Sequence, residues 1–421
     1  MRGIPPAPKG ALRLLHDAAQ LAFRAERRID PLYRDQLDRV LRDPLFDLAQ
    51  AIVNLRRQRT TGLALAEEQP LPGEELYTAA VVELMTAFLA RTYPPGKAQR
   101  AGNTKTYGVV RGEFRVLGGL PPQLRRGVFA REQTFRAWVR FAGPGPLAPA
   151  DLDDNGVLSF AIKLMGVPGP KLIDDERFTQ DFLGISAPTF TTPDVRANVR
   201  LQRQVGEGTP LFYFLVPWDS HLLDLVMQGL YSRTQSSPLE AAYHSCVPYL
   251  LGEGQAMQYF LRPQSARRTR IGLFPSDDYL REAMATTLAT DEVRFDFLVQ
   301  TQTDPDRMPI ENASVRWPEQ LSPHVRVAEL RLPAQRFDSP AQLAFADNLS
   351  FNPWHAIAEH RPLGNQNRAR KEIYLALSRA RQQMNATPRI EPTGDELFAD
   401  GGGSPAGGGT PRGETRVAVS L

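Results

Sequence analysis

Tyr107-Gly-Val-Val-Arg-Gly-Glu-Phe-Arg-Val116 alternates loosely between apolar and polar residues, the period of two expected of a strand with one buried face. Phe135-Arg-Ala-Trp-Val-Arg-Phe141 and Val157-Leu-Ser-Phe-Ala-Ile-Lys-Leu-Met165 are rich in aromatic and β-branched residues and lie between Gly- and Pro-rich breaks. Met257 to Arg262, Val293 to Thr301 and Val325 to Leu332 read the same way. Helical stretches are expected between these runs, at 219–232, 239–250 and 278–290. Six strands joined by connections of many lengths, with no strand–helix–strand rhythm, predict antiparallel pairing in a barrel or a sandwich.

Upstream of the strands, residues 1–100 read as a helical extension. Asp30-Pro31 and Asp43-Pro44 each offer a capping side chain followed by proline at the first helical position, where its missing N–H costs nothing. Helices are expected near 10–28, 31–42, 44–57 and 74–92, the last stopped by Tyr93-Pro94-Pro95. A final helix, Asn367 to Met384, follows the Pro362-Leu-Gly364 turn. The body of the chain is thus 101–386. From Thr387 onward, and above all in Gly401 to Gly409, the composition is that of a flexible Gly/Pro-rich tail.

Composition excludes several classes. With 42% hydrophobic and 23% charged residues over 421 positions, the chain is ordinary globular protein. Its net charge of +3 gives no ground for a nucleic-acid partner. The single cysteine, Cys246, excludes an internal disulfide and any multi-cysteine metal site, and fits the reducing cytoplasm expected as its location. No apolar run is long enough to span a bilayer: Leu76 to Ala90 is short and contains Glu83. There is no H-E-x-x-H, G-x-S-x-G or Walker loop.

The chemistry lies in the last helix. Offsets of four and seven bring Arg370, Tyr374 and Arg381 close to one stripe. Taken alone, the stripe reads as an arginine-rich solvated helix face with a packed tyrosine. Together with Phe351-Asn-Pro-Trp-His355 and His360-Arg-Pro-Leu-Gly364, it resembles the proximal haem segment of the haem-containing catalase superfamily, and in particular its small catalase-related bacterial branch. Trp138-Val-Arg140-Phe141, Asp154 to Lys163-Leu-Met, Thr179-Gln-Asp181-Phe182-Leu183 and Pro188-Thr-Phe190 agree in order and spacing. Lys105-Thr-Tyr107-Gly-Val-Val-Arg-Gly-Glu113-Phe114 is similar to the strand that carries the distal side. The likeness covers roughly 100–385. It implies an α+β fold, an antiparallel barrel ringed by helices, that binds haem b. Tyr374 would be the iron ligand, held as phenolate by Arg370. Arg140 and Arg381 would pair with the haem propionates, and Phe141 and Phe190 would form apolar wall.

Two positions depart from the family pattern. Where it has the distal histidine, this chain has Lys105-Thr106-Tyr107-Gly108, and where it has a distal asparagine, it has Ile185-Ser186-Ala187-Pro188. Tyr107, Thr106 and Ser186 are therefore the distal candidates. A neutral phenol donates a hydrogen bond but is a poor base at pH 7, whereas imidazole both takes and returns a proton. The resemblance implies peroxides, or organic and fatty-acid hydroperoxides, as substrates. The replaced distal histidine argues against classical catalase turnover and keeps a haem sensor, store or carrier as the alternative. Oligomer contacts are one role open to the N-terminal helices.

Overall fold

The computed structural model describes residues 11–59, 61–215, 220–266, 268–272 and 274–398. Nine strands make one antiparallel sheet: β1 Thr106–Val116, β2 Gln133–Ala142, β3 Ser159–Met165, β4 Thr179–Ile185, β5 Tyr243–His244, β6 Tyr249–Leu250, β7 Ala256–Pro263, β8 Val293–Thr301 and β9 Val325–Leu332. Pairing of β1 with β9 and of β5 with β7 closes eight of them into a barrel, and β6 adds a hairpin to β7.

Alternation decides which side chains fill it. Val110, Phe114, Val139, Phe182 and Phe297 point inward, and the rings of Phe114 and Phe182 each meet Phe297 with centroids 5.1 Å apart. Their neighbours, among them Val109, Trp138, Arg140 and Lys163, lie on the outer wall against helices and loops. Burial on both sides explains why β4 carries no alternating signal: six of its seven residues are buried.

Nine helices are described: α1 Ala11–Leu37, α2 Asp43–Arg56, α3 Glu74–Thr92, α4 Val195–Gly206, α5 Leu211–Leu215, α6 Leu222–Tyr231, α7 Tyr279–Leu288, α8 Pro340–Asn348 and α9 Asn365–Met384. Among the described residues no helix is long and apolar enough to cross a membrane. Two expectations are corrected. Asp30-Pro31 does not start a helix: α1 runs through Pro31 into a π-helical turn at Asp38–Arg42, because the Asp30 carboxylate accepts the Thr234 N–H at 2.7 Å instead of capping. The helix expected at 239–250 is a 3-10 turn, Pro238–Glu240, followed by β5 and β6, which the barrel needs as partners for β4 and β7.

The helix that carries Arg370 is set by its entry. Gly364 has φ +85°, and a Cβ there would lie 2.5 Å from the Ile310 carbonyl oxygen. Only glycine suits both demands. The first free N–H groups of α9 are met by carboxylates: Gly364 N donates to Glu68 at 2.8 Å and Asn365 N to Glu311 at 2.7 Å, charges of the sign the helix dipole favours. After Met384 the chain stays on the barrel. Glu391 accepts from the Arg177 N–H, and Glu396 accepts the Trp138 Nε1–H at 2.8 Å. The glycine run at 401–409 lies outside the described residues.

Candidate functional site

Tyr374 projects from α9 with its hydroxyl 3.3 Å from Arg370 Nη2, and the guanidinium carbon sits 5.2 Å from the ring centroid. Arg370 is buried and held by Asn367 Oδ1 at 3.0 Å, while its Nε has no partner. Burial alone would lower its pKa; Tyr374 and Tyr249 beside it outweigh that and raise it. A fixed cation thus lies one turn from a phenol.

Two turns further along α9, three guanidiniums converge. Arg381 donates to the Asp347 carbonyl and, at 3.1 Å, to the Leu349 carbonyl. Arg100, from the coil before β1, donates to the same Leu349 oxygen at 2.7 Å and to Ala346 O at 2.9 Å. Arg140, on the outer face of β2, donates to Asn103 O at 2.6 Å and to Thr106 Oγ1 at 2.9 Å. Their electrostatics betray a deficit of anions. Burial first, and then mutual repulsion, hold Arg140 well below its ordinary pKa and bring Arg381 down to about 9; burial likewise lowers Arg100. The carboxylate nearest Arg100 is Asp347, 4.0 Å away with its side chain 72% exposed. Among the described residues no carboxylate pairs with Arg140 or Arg381. The C-terminus of α8 offers about half a negative charge, against three positive ones. Tyr374 lies near enough to favour the charged form of Arg140.

The other sequence candidates divide between the guanidinium trio and the core. Thr106 joins the trio through its bond from Arg140. Tyr107 does not: β1 bulges between Thr106 and Gly108, and the extra residue packs inside the barrel core, its hydroxyl buried without a partner and its pKa driven far upward by burial. Phe141, next to Arg140 on a strand, points to the opposite side and packs on Tyr243 and Phe295. Phe190 lies at the edge of the same core. Ser186 Oγ accepts the Leu158 N–H at 2.8 Å. Arg100 was missed by sequence reading. It is a lone arginine in coil, and its only signal is convergence with Arg381 on one carbonyl.

A second polar cluster lies elsewhere on the outer wall. Lys163 Nζ contacts Glu176, lies 2.8 Å from Asp181 Oδ1 and lies 3.2 Å from His355 Nδ1, all fully buried. Glu176, Asp181 and His355 converge as ligands of a metal would, but the ammonium already sits among them. Asp175 and Arg389 close the cluster. Four further histidines are occupied by packing: His360 Nε2 accepts the Val128 N–H at 3.0 Å, His244 and His324 both lie tilted against Phe260, and His221 stacks on Tyr213. Among the described residues none bonds to Tyr374, Arg140 or Thr106. Cys246 is buried with Sγ 2.9 Å from the Ala187 carbonyl, and burial raises its pKa.

Comparison with known structures supplies the class. A fungal catalase matches with a TM-score of 0.53 and 14% identity over 81% of this chain and 70% of its own. A bacterial catalase matches with a TM-score of 0.52 and 14% identity over 80% of this chain and 70% of its own. The chain therefore has the catalase-like fold, a closed eight-stranded antiparallel barrel with surrounding helices. No family model matches the sequence, and no curated protein does.

Proposed function

We propose that the chain binds haem b between α9 and the outer wall of the barrel, with Tyr374 as the iron ligand, and acts on peroxides or organic hydroperoxides. The observation that carries this reading is the trio of Arg100, half-buried, with the buried Arg140 and Arg381, whose one neighbouring carboxylate among the described residues is the exposed Asp347 and which suits the two propionates of a haem. Bound there, haem iron would supply the redox chemistry that cleaves an O–O bond. The chain's residues do the rest. Arg370 sets a permanent positive charge against the Tyr374 hydroxyl. The guanidinium trio orients the ligand and neutralises it. Thr106 is held beside the trio by its bond from Arg140.

One observation favours a second reading, a non-catalytic protein that senses, stores or carries haem. Thr106 Oγ1 is committed to Arg140, Ser186 Oγ to the Leu158 N–H, and Tyr107 to the core. None is a free base for moving a proton between peroxide oxygens. Absorption spectra of the haemin-reconstituted protein test the shared premise: a high-spin ferric phenolate spectrum is expected, and Tyr374→Phe abolishes it. A spectrum unchanged in the variant removes Tyr374 from the ligand role. Decay of hydrogen peroxide and of a fatty-acid hydroperoxide on the same sample then separates the two readings.

A further inference from the structure

A surface helix normally turns its apolar stripe to the core and its polar face to water. α1 does the reverse. At 100° per residue, Leu14, Ala18, Leu21, Ala25, Ile29 and Leu32 fall within an arc of about 80°. All six are exposed, with Leu14 at 72%, Leu21 at 64% and Leu32 at 82%. The polar face holds the helix to the body: Arg27 Nη1 donates to Asn155 Oδ1 at 2.9 Å, the Asp30 carboxylate accepts the Thr234 N–H, and Arg34 donates to the Leu230 carbonyl. In an unbroken α-helix Leu41 would fall opposite Leu32. The wider π turn at Asp38–Arg42 takes up part of that rotation, so Leu41, Leu45, Leu48 and Leu55 are exposed in their turn while Phe46 and Ala49 pack inward beside Met227. Backbone angles stay helical at both joints of the turn, and the exposed leucines therefore follow one continuous rod.

Free charge on the rod has one sign. Its exposed carboxylates are engaged: Asp35 with Arg233 at 2.7 Å, Asp43 with Arg42 at 3.1 Å, Asp47 with Arg316, and Asp17 within the chain as well. Arg28, Arg56 and Arg59 are exposed, and among the described residues no carboxylate pairs with them. Arg28 and Arg56 each stand about 20° outside the edge of their own leucine stripe. We infer that this outward face of α1 and α2 lies on the surface of an anionic bilayer, with the leucines in the boundary between headgroups and acyl chains and the arginines among the headgroups. Charge decides between occupants. A second copy of the rod would bring these arginines no free exposed carboxylate, whereas an anionic leaflet supplies negative charge all along its plane. The inference goes beyond the haem reading and does not depend on it.

Flotation of the full chain without haem tests this, on vesicles of phosphatidylcholine alone and of phosphatidylcholine mixed with phosphatidylserine. The wild type should float with the mixed vesicles and much less with the neutral ones. Leu21→Glu/Leu32→Glu should lose flotation with unchanged far-ultraviolet circular dichroism, since both leucines are exposed. Arg28→Gln and Arg56→Gln should each weaken partitioning about fivefold, and added salt should weaken that of the wild type. A wild type that does not float, equal binding to both kinds of vesicle, or a glutamate variant that floats as the wild type does overturns the proposal. So does a chain that ignores vesicles but sediments at twice its mass until the two leucines are changed, which would assign the face to a second copy.

Discussion

Two sets of cations, most of them buried, lie on the outer wall of the barrel, and they are opposites. Lys163, Arg389 and His355 face Asp175, Glu176 and Asp181, so the cluster is neutral when the imidazole is protonated. Arg100, Arg140 and Arg381 face backbone carbonyls, each other and the single exposed carboxylate of Asp347. The first set closes on itself and ties the 351–360 segment and the chain after α9 to β3 and β4. The second leaves charge over, and a buried surplus of charge calls for a ligand that the chain does not contain. Function is to be sought where charge is uncompensated, and stability where it is balanced.

Substitutions sharpen this contrast. The largest effect is expected from Lys163→Met, which strands buried carboxylates and costs about 3–5 kcal/mol of unfolding free energy in a urea titration, or leaves the protein insoluble. Arg140→Leu should be much milder for the apoprotein, about 1–2 kcal/mol, because the bonds lost to Asn103 and Thr106 are partly offset by relieved repulsion, yet it should abolish tight haemin uptake. If the order is reversed, with Arg140 the more costly to fold, the distinction between the two sets collapses. Smaller still is a pH effect. Burial and Lys163 lower the pKa of His355, but Glu176, Asp181 and Asp175 outweigh them and raise it above the free value of about 6.5. Its contribution is complete below about pH 6.5 and is lost as pH rises through the folded value, so urea stability should fall into the alkaline range, and His355→Gln should flatten that fall. His360 has the opposite sign. Burial takes its pKa down to about 4, so its contribution is present above about pH 6.5 and is lost as pH falls toward 4.

The long strands were legible because one face of each is apolar: β8 and β9 begin and end where the alternation does. β3, buried along its whole length, was legible from its aromatic and β-branched content; the polar Thr179-Gln-Asp181 start of β4 gives no such signal, and the two-residue β5 and β6 exist only through pairing with their neighbours. In α1, Pro31 and Asp30 together mimic a helix start, and only the long-range bond to Thr234 shows otherwise. At the site, Arg370, Tyr374, Arg140 and Arg381 could be read from motif order. Tyr107 could not be placed, since a single bulge in β1 sends it into the core and leaves Thr106 toward Arg140. Arg100 is a tertiary coincidence that no local pattern announces.

The central claim is that the guanidinium trio receives the carboxylates of a haem. Its most direct test is a spectrophotometric titration of the apoprotein with haemin and with haemin dimethyl ester, whose propionates carry no charge. At least tenfold tighter binding of haemin, with the difference lost in Arg140→Leu, is the predicted result. Equal affinity for the two, in wild type and variant alike, would contradict it.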